Sequence, residues 1–214
     1  MNYSTISNLP APQAEGDCLF LAVYQDKQLS DAADAVDQAS QGAITNCLSF
    51  DDFTGKAGET QMLYQADGIN AKRILLVGVG EKESFDAFAV NKATKTALKS
   101  LSNQSIGTIY SYLADDLADQ AGATIAQGVL AASDSNYKFT LHKSDHNDEV
   151  PSQTLTFAFS SDVDGLDEAL NHANGMALGC ELSRDLSNQP GNVATPSYLA
   201  ETAMDMAKTF SSLN

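Results

Sequence analysis

Apolar residues recur along this chain in two rhythms. Cys18-Leu19-Phe20-Leu21-Ala22-Val23-Tyr24 is an unbroken apolar run between polar residues, which predicts a strand buried on both faces. Gln61–Gln65, Arg73–Val77, Ile106–Leu113 and Leu155–Phe159 read as further strands. Asp67-Gly68 suggests a hairpin-like turn between the second and third of these five. Elsewhere the spacing shifts to three and four. Ala32, Ala35, Val36 and Ala39 share a helical face opposite acids, with Ser30 or Asp31 as cap, and Gly42 breaks that helix. Ser84 to about Leu101 is the clearest helix, with Phe85, Phe88, Ala89, Ala93, Ala97, Leu98 and Leu101 on one side and Ser84 placed to cap. Asp115 to Ala132 returns to helical spacing.

From Asp164 the pattern lengthens. Leu166, Ala169, Leu170, Ala173, Met176, Ala177 and Cys180 mark a long amphipathic helix with Asp164 as candidate cap. Asn188-Gln189-Pro190-Gly191-Asn192 ends it, because Pro190 pushes Gln189 out of the helical region. Thr195-Pro196 restarts a helix, with Thr195 as cap and proline at the first position. Residues 1 to about 16 carry polar residues with Pro10, Pro12 and Gly16. Strands alternating with helices predict an α/β domain whose largely parallel, mixed sheet is covered on both faces.

Composition narrows the function classes. The chain has 214 residues, 43% hydrophobic and 19% charged, as a globular protein does. No apolar run approaches the roughly 18 residues of a membrane span, and Met1-Asn2-Tyr3-Ser4-Thr5-Ile6 shows no signal peptide. A soluble cytoplasmic protein is the expectation. The net charge of −16 argues against nucleic acid and anionic lipid as partners. The one dense basic run, Lys92, Lys95 and Lys99, reads as a solvated helix face. Cys18, Cys47 and Cys180 are odd in number and widely spaced, so they read as small buried hydrophobes in a reducing compartment.

Few residues suggest chemistry. Gly78-Val79-Gly80 follows a strand and precedes a helix, but the third glycine of a dinucleotide fingerprint is replaced by Glu83, which would repel a phosphate. The simpler reading is a tight turn. His142 and His146 have the spacing of two metal ligands on a helix, with Asp145, Asp148 and Glu149 as added oxygens. They fall in a polar loop, without the glutamate of a zincin motif. His172 reads as solvated. Asp115-Asp116, Asp119 and the acids at 162, 164, 167 and 168 gather at helix starts, where they complement the dipole. Lys56, between Gly55 and Gly58, reads as part of a glycine-shaped loop or as a contact to a neighbouring subunit or domain.

Several of these strings resemble one family. Arg184-Asp185-Leu186-Ser187-Asn188-Gln189-Pro190-Gly191-Asn192-Val193-Ala194-Thr195-Pro196-Ser197-Tyr198-Leu199-Ala200 resembles the join between the two domains of the leucyl aminopeptidases, dinuclear-metal exopeptidases of the cytosol. Phe53-Thr54-Gly55-Lys56-Ala57-Gly58-Glu59-Thr60, Lys72-Arg73-Ile74-Leu75-Leu76-Val77-Gly78-Val79-Gly80-Glu81-Lys82 and Tyr137-Lys138-Phe139 are similar to strings of its N-terminal domain. The resemblance implies a three-layer α/β/α, macro-domain-like unit over 1–163, a connector helix over 164–189, and the start of an absent catalytic domain over 190–214.

It also implies two divalent ions, zinc or manganese, bridging the attacking water in that catalytic domain. The strings that hold them there, V-G-K-G, F-D-S-G-G and N-T-D-A-E-G-R, do not occur here. No catalytic, cofactor-binding or metal-ligating residue is therefore assigned, and this chain alone is expected to be inactive. The implied partners are its own catalytic domain, sister subunits of a homohexamer and, through the whole enzyme, peptide substrates. A free-standing macro-like ligand-binding domain and a DNA-binding or regulatory domain are the alternatives.

Overall fold

The computed structural model describes residues 1–50, 52–102, 104–140 and 153–210. Six strands, Asn2–Ile6 (β1), Cys18–Tyr24 (β2), Thr60–Tyr64 (β3), Arg73–Gly80 (β4), Thr108–Ser111 (β5) and Thr154–Ala158 (β6), form one sheet in the order β1-β6-β5-β2-β4-β3. Every neighbouring pair is parallel except β3 with β4, the hairpin-like pair, which is antiparallel. The helices are Asp31–Ala39 (α1), Ala43–Leu48 (α2), Ala87–Ser100 (α3), Ala121–Asn136 (α4), Leu166–Asn188 (α5) and Pro196–Thr209 (α6).

Two-residue periodicity explains the layers. In β2, Cys18, Phe20, Ala22 and Tyr24 face one apolar cluster with residues of α3, α4 and α5. Leu19, Leu21 and Val23 face a second cluster with α1 and α2. β4 divides in the same way, with Leu75 and Val77 on one side and Ile74 and Leu76 on the other. A strand packed on both faces has no polar position to spare, which is why β2 is apolar throughout. Each large side chain so buried is worth about 1.5–3 kcal/mol.

The helix ends show which local signals prevail. Ser30 caps α1 through its hydroxyl, which accepts from Ala33 N. Thr195 caps α6 in the same manner from Tyr198 N, with Pro196 at the first position. Three expectations change. α3 begins at Ala87, because the Asp86 carboxylate rather than Ser84 accepts from Ala89 N at 2.9 Å, and Ser84 closes a separate 3-10 turn. Phe88 then points outward and is 74% exposed, while Phe85, ahead of the helix, is buried.

α5 is capped by Gly165 in the left-handed region (φ +72), not by Asp164. The stretch Asp115–Gln120 is a 3-10 turn broken at Leu117, and α4 starts only at Ala121. Its first two acids are drawn into bonds with other segments, which leaves them unable to cap. The polar N-terminal segment, whose sequence pattern assigns no element, supplies β1; its polar residues suit an edge strand with only one neighbour, β6.

Candidate functional site

The loop carrying Lys56 is shaped by its neighbours. The Glu59 carboxylate turns back and accepts from Thr54 N (2.7 Å), Thr54 Oγ1 (3.1 Å) and Lys56 N (3.3 Å). Desolvation works against the charge, but these donors prevail and hold the carboxyl below its ordinary range. The closed loop lies on the carboxyl ends of β2 and β4. A Cβ on Gly55 would stand 1.9 Å from Tyr24 O, and one on Gly78 would stand 2.2 Å from Lys56 O. Gly58 N donates to Gly78 O, Gly78 N to Glu59 O and Gly80 N to Gly55 O. Gly78-Val79-Gly80 is thus one half of a backbone interlock, and its glycines admit protein rather than a phosphate. Lys56 itself is exposed. Beside it, Ala57, Gly58, Phe88 and Lys92 line an open groove.

A second cluster sits where β2 and β5 adjoin. From β2 the chain leads to β4 on one side, while β5 and β6 lie on the other, so this is the topological switch point at which open α/β sheets commonly bind ligands. Here the place is occupied by the chain itself. Tyr24 OH donates to Asp116 Oδ2 (2.7 Å), and Asp31 N donates to Asp116 Oδ1 (3.0 Å). Lys82 Nζ stands 3.9 Å from Asp116 and 5.2 Å from the centre of the Tyr24 ring, and Phe85 meets that ring edge-on at 5.6 Å.

Burial, then the Asp116 carboxylate, pushes the Tyr24 phenol well above its usual range, so it stays a neutral donor. Asp115 accepts from Ser160 N (2.7 Å) and Ser160 Oγ (2.8 Å). Burial raises its pKa despite those bonds. The cluster ties α1, β2, the turn before α4 and the end of β6 together. The two carboxylates Asp115 and Asp116 oppose a phosphate here. Sequence reasoning read Asp115 and Asp116 as helix-start acids. The available signal was their place directly after a buried strand, opposite a tyrosine ending its neighbour.

At the opposite end of the sheet, Asp17 accepts from Gly107 N (2.8 Å) and Thr108 N (3.1 Å) and pairs with Lys72 (2.7 Å). The Lys72 bond, then the two amides, hold its carboxyl at about 2. Of the basic run, Lys95 is paired with Asp134 at 2.5 Å, so the face is less basic than its sequence suggests. His172 is exposed, while His142, His146, Asp145, Asp148 and Glu149 lie outside the described residues. Cys18 is buried, which pushes its thiol up to about 12. Cys47 is half-buried, and Cys180, contrary to expectation, is exposed because it falls on the outer side of α5.

Among the described residues no group of three or more His, Cys, Asp or Glu could hold a metal ion. Among the same residues no helix is long and apolar enough to cross a membrane.

The last two helices differ from the rest. No residue of α6 is buried, and in α5 only Leu166, Ala173 and Ala177 are. Nine large hydrophobics are exposed among the described residues. Five of them (Met176, Leu178, Leu199, Met204 and Phe210) lie between 176 and 210. These residues lie in or directly after the two helices with the smallest share of buried positions.

The chain is 36% identical over 204 residues to a probable cytosol aminopeptidase of Burkholderia thailandensis, covering 91% of this chain and 39% of the relative. A probable cytosol aminopeptidase of Burkholderia cenocepacia matches at 36% over 201 residues with the same coverage. The chain thus spans about two fifths of the length of these relatives. Its fold is similar to that of a tomato leucine aminopeptidase mutant (TM-score 0.75, 21% identity, 99% of this chain and 43% of that one). It is also similar to the bottromycin maturation enzyme BotP in complex with Mn (TM-score 0.62, 20% identity, 91% and 36%). Residues 20–146 match the N-terminal domain of the cytosol aminopeptidase family, and the chain belongs to that family.

Proposed function

We propose that this chain is the non-catalytic N-terminal part of a two-metal aminopeptidase and that a catalytic part covers the exposed hydrophobic residues of α5 and α6. The observation that carries the reading is the match of residues 20–146 to the family's N-terminal domain. The concentration of exposed hydrophobics after Met176 supports it from the structure, since α6 has no packed face of its own. In this reading 1–163 is the α/β domain, 164–189 the connector and 190–214 the beginning of the catalytic domain.

The whole enzyme would release N-terminal residues from peptides with two divalent ions, zinc or manganese, held by residues of the catalytic part. The Mn named for BotP is consistent with that. The N-terminal domain would contribute packing, hexamer architecture and control of substrate access. The groove beside Lys56 and Phe88 is its candidate contact with a sister subunit. A cytoplasmic location accords with the name of the Burkholderia relatives.

The test is hydrolysis of leucine p-nitroanilide by the 214-residue chain in the presence of Mn²⁺ or Zn²⁺. No turnover above the metal blank is expected. Metal-dependent turnover that survives further purification would overturn the assignment.

A further inference from the structure

α5 is held in two different ways along its length. Its first half is fixed by apolar contact, through Leu166, Ala173 and Ala177 in the cluster shared with α4. Beyond Ala177 no residue of the helix is buried or joins either apolar cluster. Gly175 and Gly179 stand at this change-over, with open space where a Cβ would project. Neither glycine therefore serves close packing, and each weakens the helix relative to alanine.

In the second half, where Leu182 and Leu186 are only half-buried, the specific contacts are polar. Arg184 Nη2 lies 2.6 Å from Asp134 Oδ1 on α4, and the other oxygen of Asp134 is bound by Lys95 of α3 at 2.5 Å. The Arg184 guanidinium carbon stands 5.4 Å from the centre of the Tyr137 ring. Tyr137 OH donates to Asp185 Oδ1 at 2.9 Å and accepts from Asn188 Nδ2 at 3.0 Å. Tyr137 directly follows α4, so both partners of the connector belong to one helix end. Arg184 Nη1 is enclosed without an acceptor among the described residues. That desolvation is the cost of seating the guanidinium between the carboxylate and the ring.

We propose that Asp134, Tyr137, Arg184 and Asp185 form a polar clamp that sets the direction in which α5 leaves the α/β domain, and that Gly175 and Gly179 mark where the helix yields when the clamp opens. An apolar seam would hold the helix regardless of ionic strength. A clamp of half-exposed charges does not, because added salt screens it. The angle at which anything following α5 is presented is then tunable. The consequence for a catalytic domain rests on the reading of α5 as a connector; the clamp itself is a property of this chain.

Amide hydrogen exchange on the 214-residue chain tests it. In Arg184→Gln, amides of 178–188 should exchange about fivefold faster, the size expected for one lost ion pair of this kind. Amides of 166–173, β2 and β4 should keep their rates. Salt at about 0.5 M should produce the same local change in the wild-type chain and little further change in the variant. Arg184→Lys, which keeps the charge but loses the fork and the ring contact, should fall between.

Wild-type exchange over 178–188 in a folded Arg184→Gln chain overturns the clamp. If that variant loses its core protection, Tyr137→Phe, which removes only the hydroxyl, decides: faster exchange at 185–188 supports the clamp, and unchanged exchange overturns it. Either result is read without reference to peptidase activity.

Discussion

Replacing Gly78 by alanine tests the interlock of the two glycine-bearing loops. The new Cβ would stand 2.2 Å from Lys56 O and 2.9 Å from Gly55 C, whereas real Cβ atoms approach no closer than 3.0 Å. The obstacle is backbone on both counts, so no side chain can swing aside, and the loop must retreat by about 0.8 Å at least. Three hydrogen bonds cross that contact: Gly58 N to Gly78 O, Gly78 N to Glu59 O and Gly80 N to Gly55 O. Overpacking costs about 1–3 kcal/mol and each of the three weakened bonds about 0.5–1.5 kcal/mol, giving a loss of about 2.5–7.5 kcal/mol.

For a chain of this size that corresponds to a fall in Tm of roughly 5–30 °C. Circular dichroism during heating, with urea titration for ΔG, measures it; the chain has no tryptophan to follow. Gly58→Ala is the control. Gly58 has φ +97 but nothing within 4 Å of an added Cβ, so only backbone strain of about 1–2 kcal/mol is at stake. If Gly78→Ala is no more destabilising than Gly58→Ala, the interlock does not hold the loop.

Asp17 makes stability depend on acid. Its folded pKa of about 2 lies below the ordinary 3.8, so its contribution is complete above about pH 4 and is lost as the pH falls towards 2. The shift corresponds to about 2.4 kcal/mol, reduced to about 1–2 kcal/mol because Lys72 is largely exposed and screened. Asp17→Asn should lower the urea midpoint at pH 7, by about half as much at pH 3, and approach the wild type only near pH 2; an equal gap at pH 7 and pH 2 would contradict the assignment. Ser30→Ala should cost about 1 kcal/mol by removing the α1 cap, seen as a lower urea midpoint with an unchanged m-value.

The sheet was largely legible because its central strands carry two-faced burial in their composition. Cys18–Tyr24 and the apolar part of Arg73–Gly80 have no other economical place in a folded chain. Ser30 and Thr195 were readable because a cap acts within three residues. β1 was not, since a polar edge strand is defined by its partner β6, more than 140 residues away in sequence. Ser84 misled because Asp86, two residues on, competes for the same role and prevails. Asp115 and Asp116 misled for the opposite reason: their partners Ser160, Tyr24 and Asp31 are remote, and tertiary bonds override a local dipole preference. The clamp at Arg184 lay inside a recognisable string, yet its partners at 134 and 137 come together only through the packing of α4 on α5.

The coding sequence beyond the codon for Asn214 tests the central claim most directly. The account predicts that the frame continues into lysine- and acid-bearing strings able to bind two metals, and that the longer product hydrolyses leucine p-nitroanilide in a metal-dependent manner while this chain does not. A stop codon directly after Asn214 would contradict it, and the exposed hydrophobics of α5 and α6 would then need a different explanation.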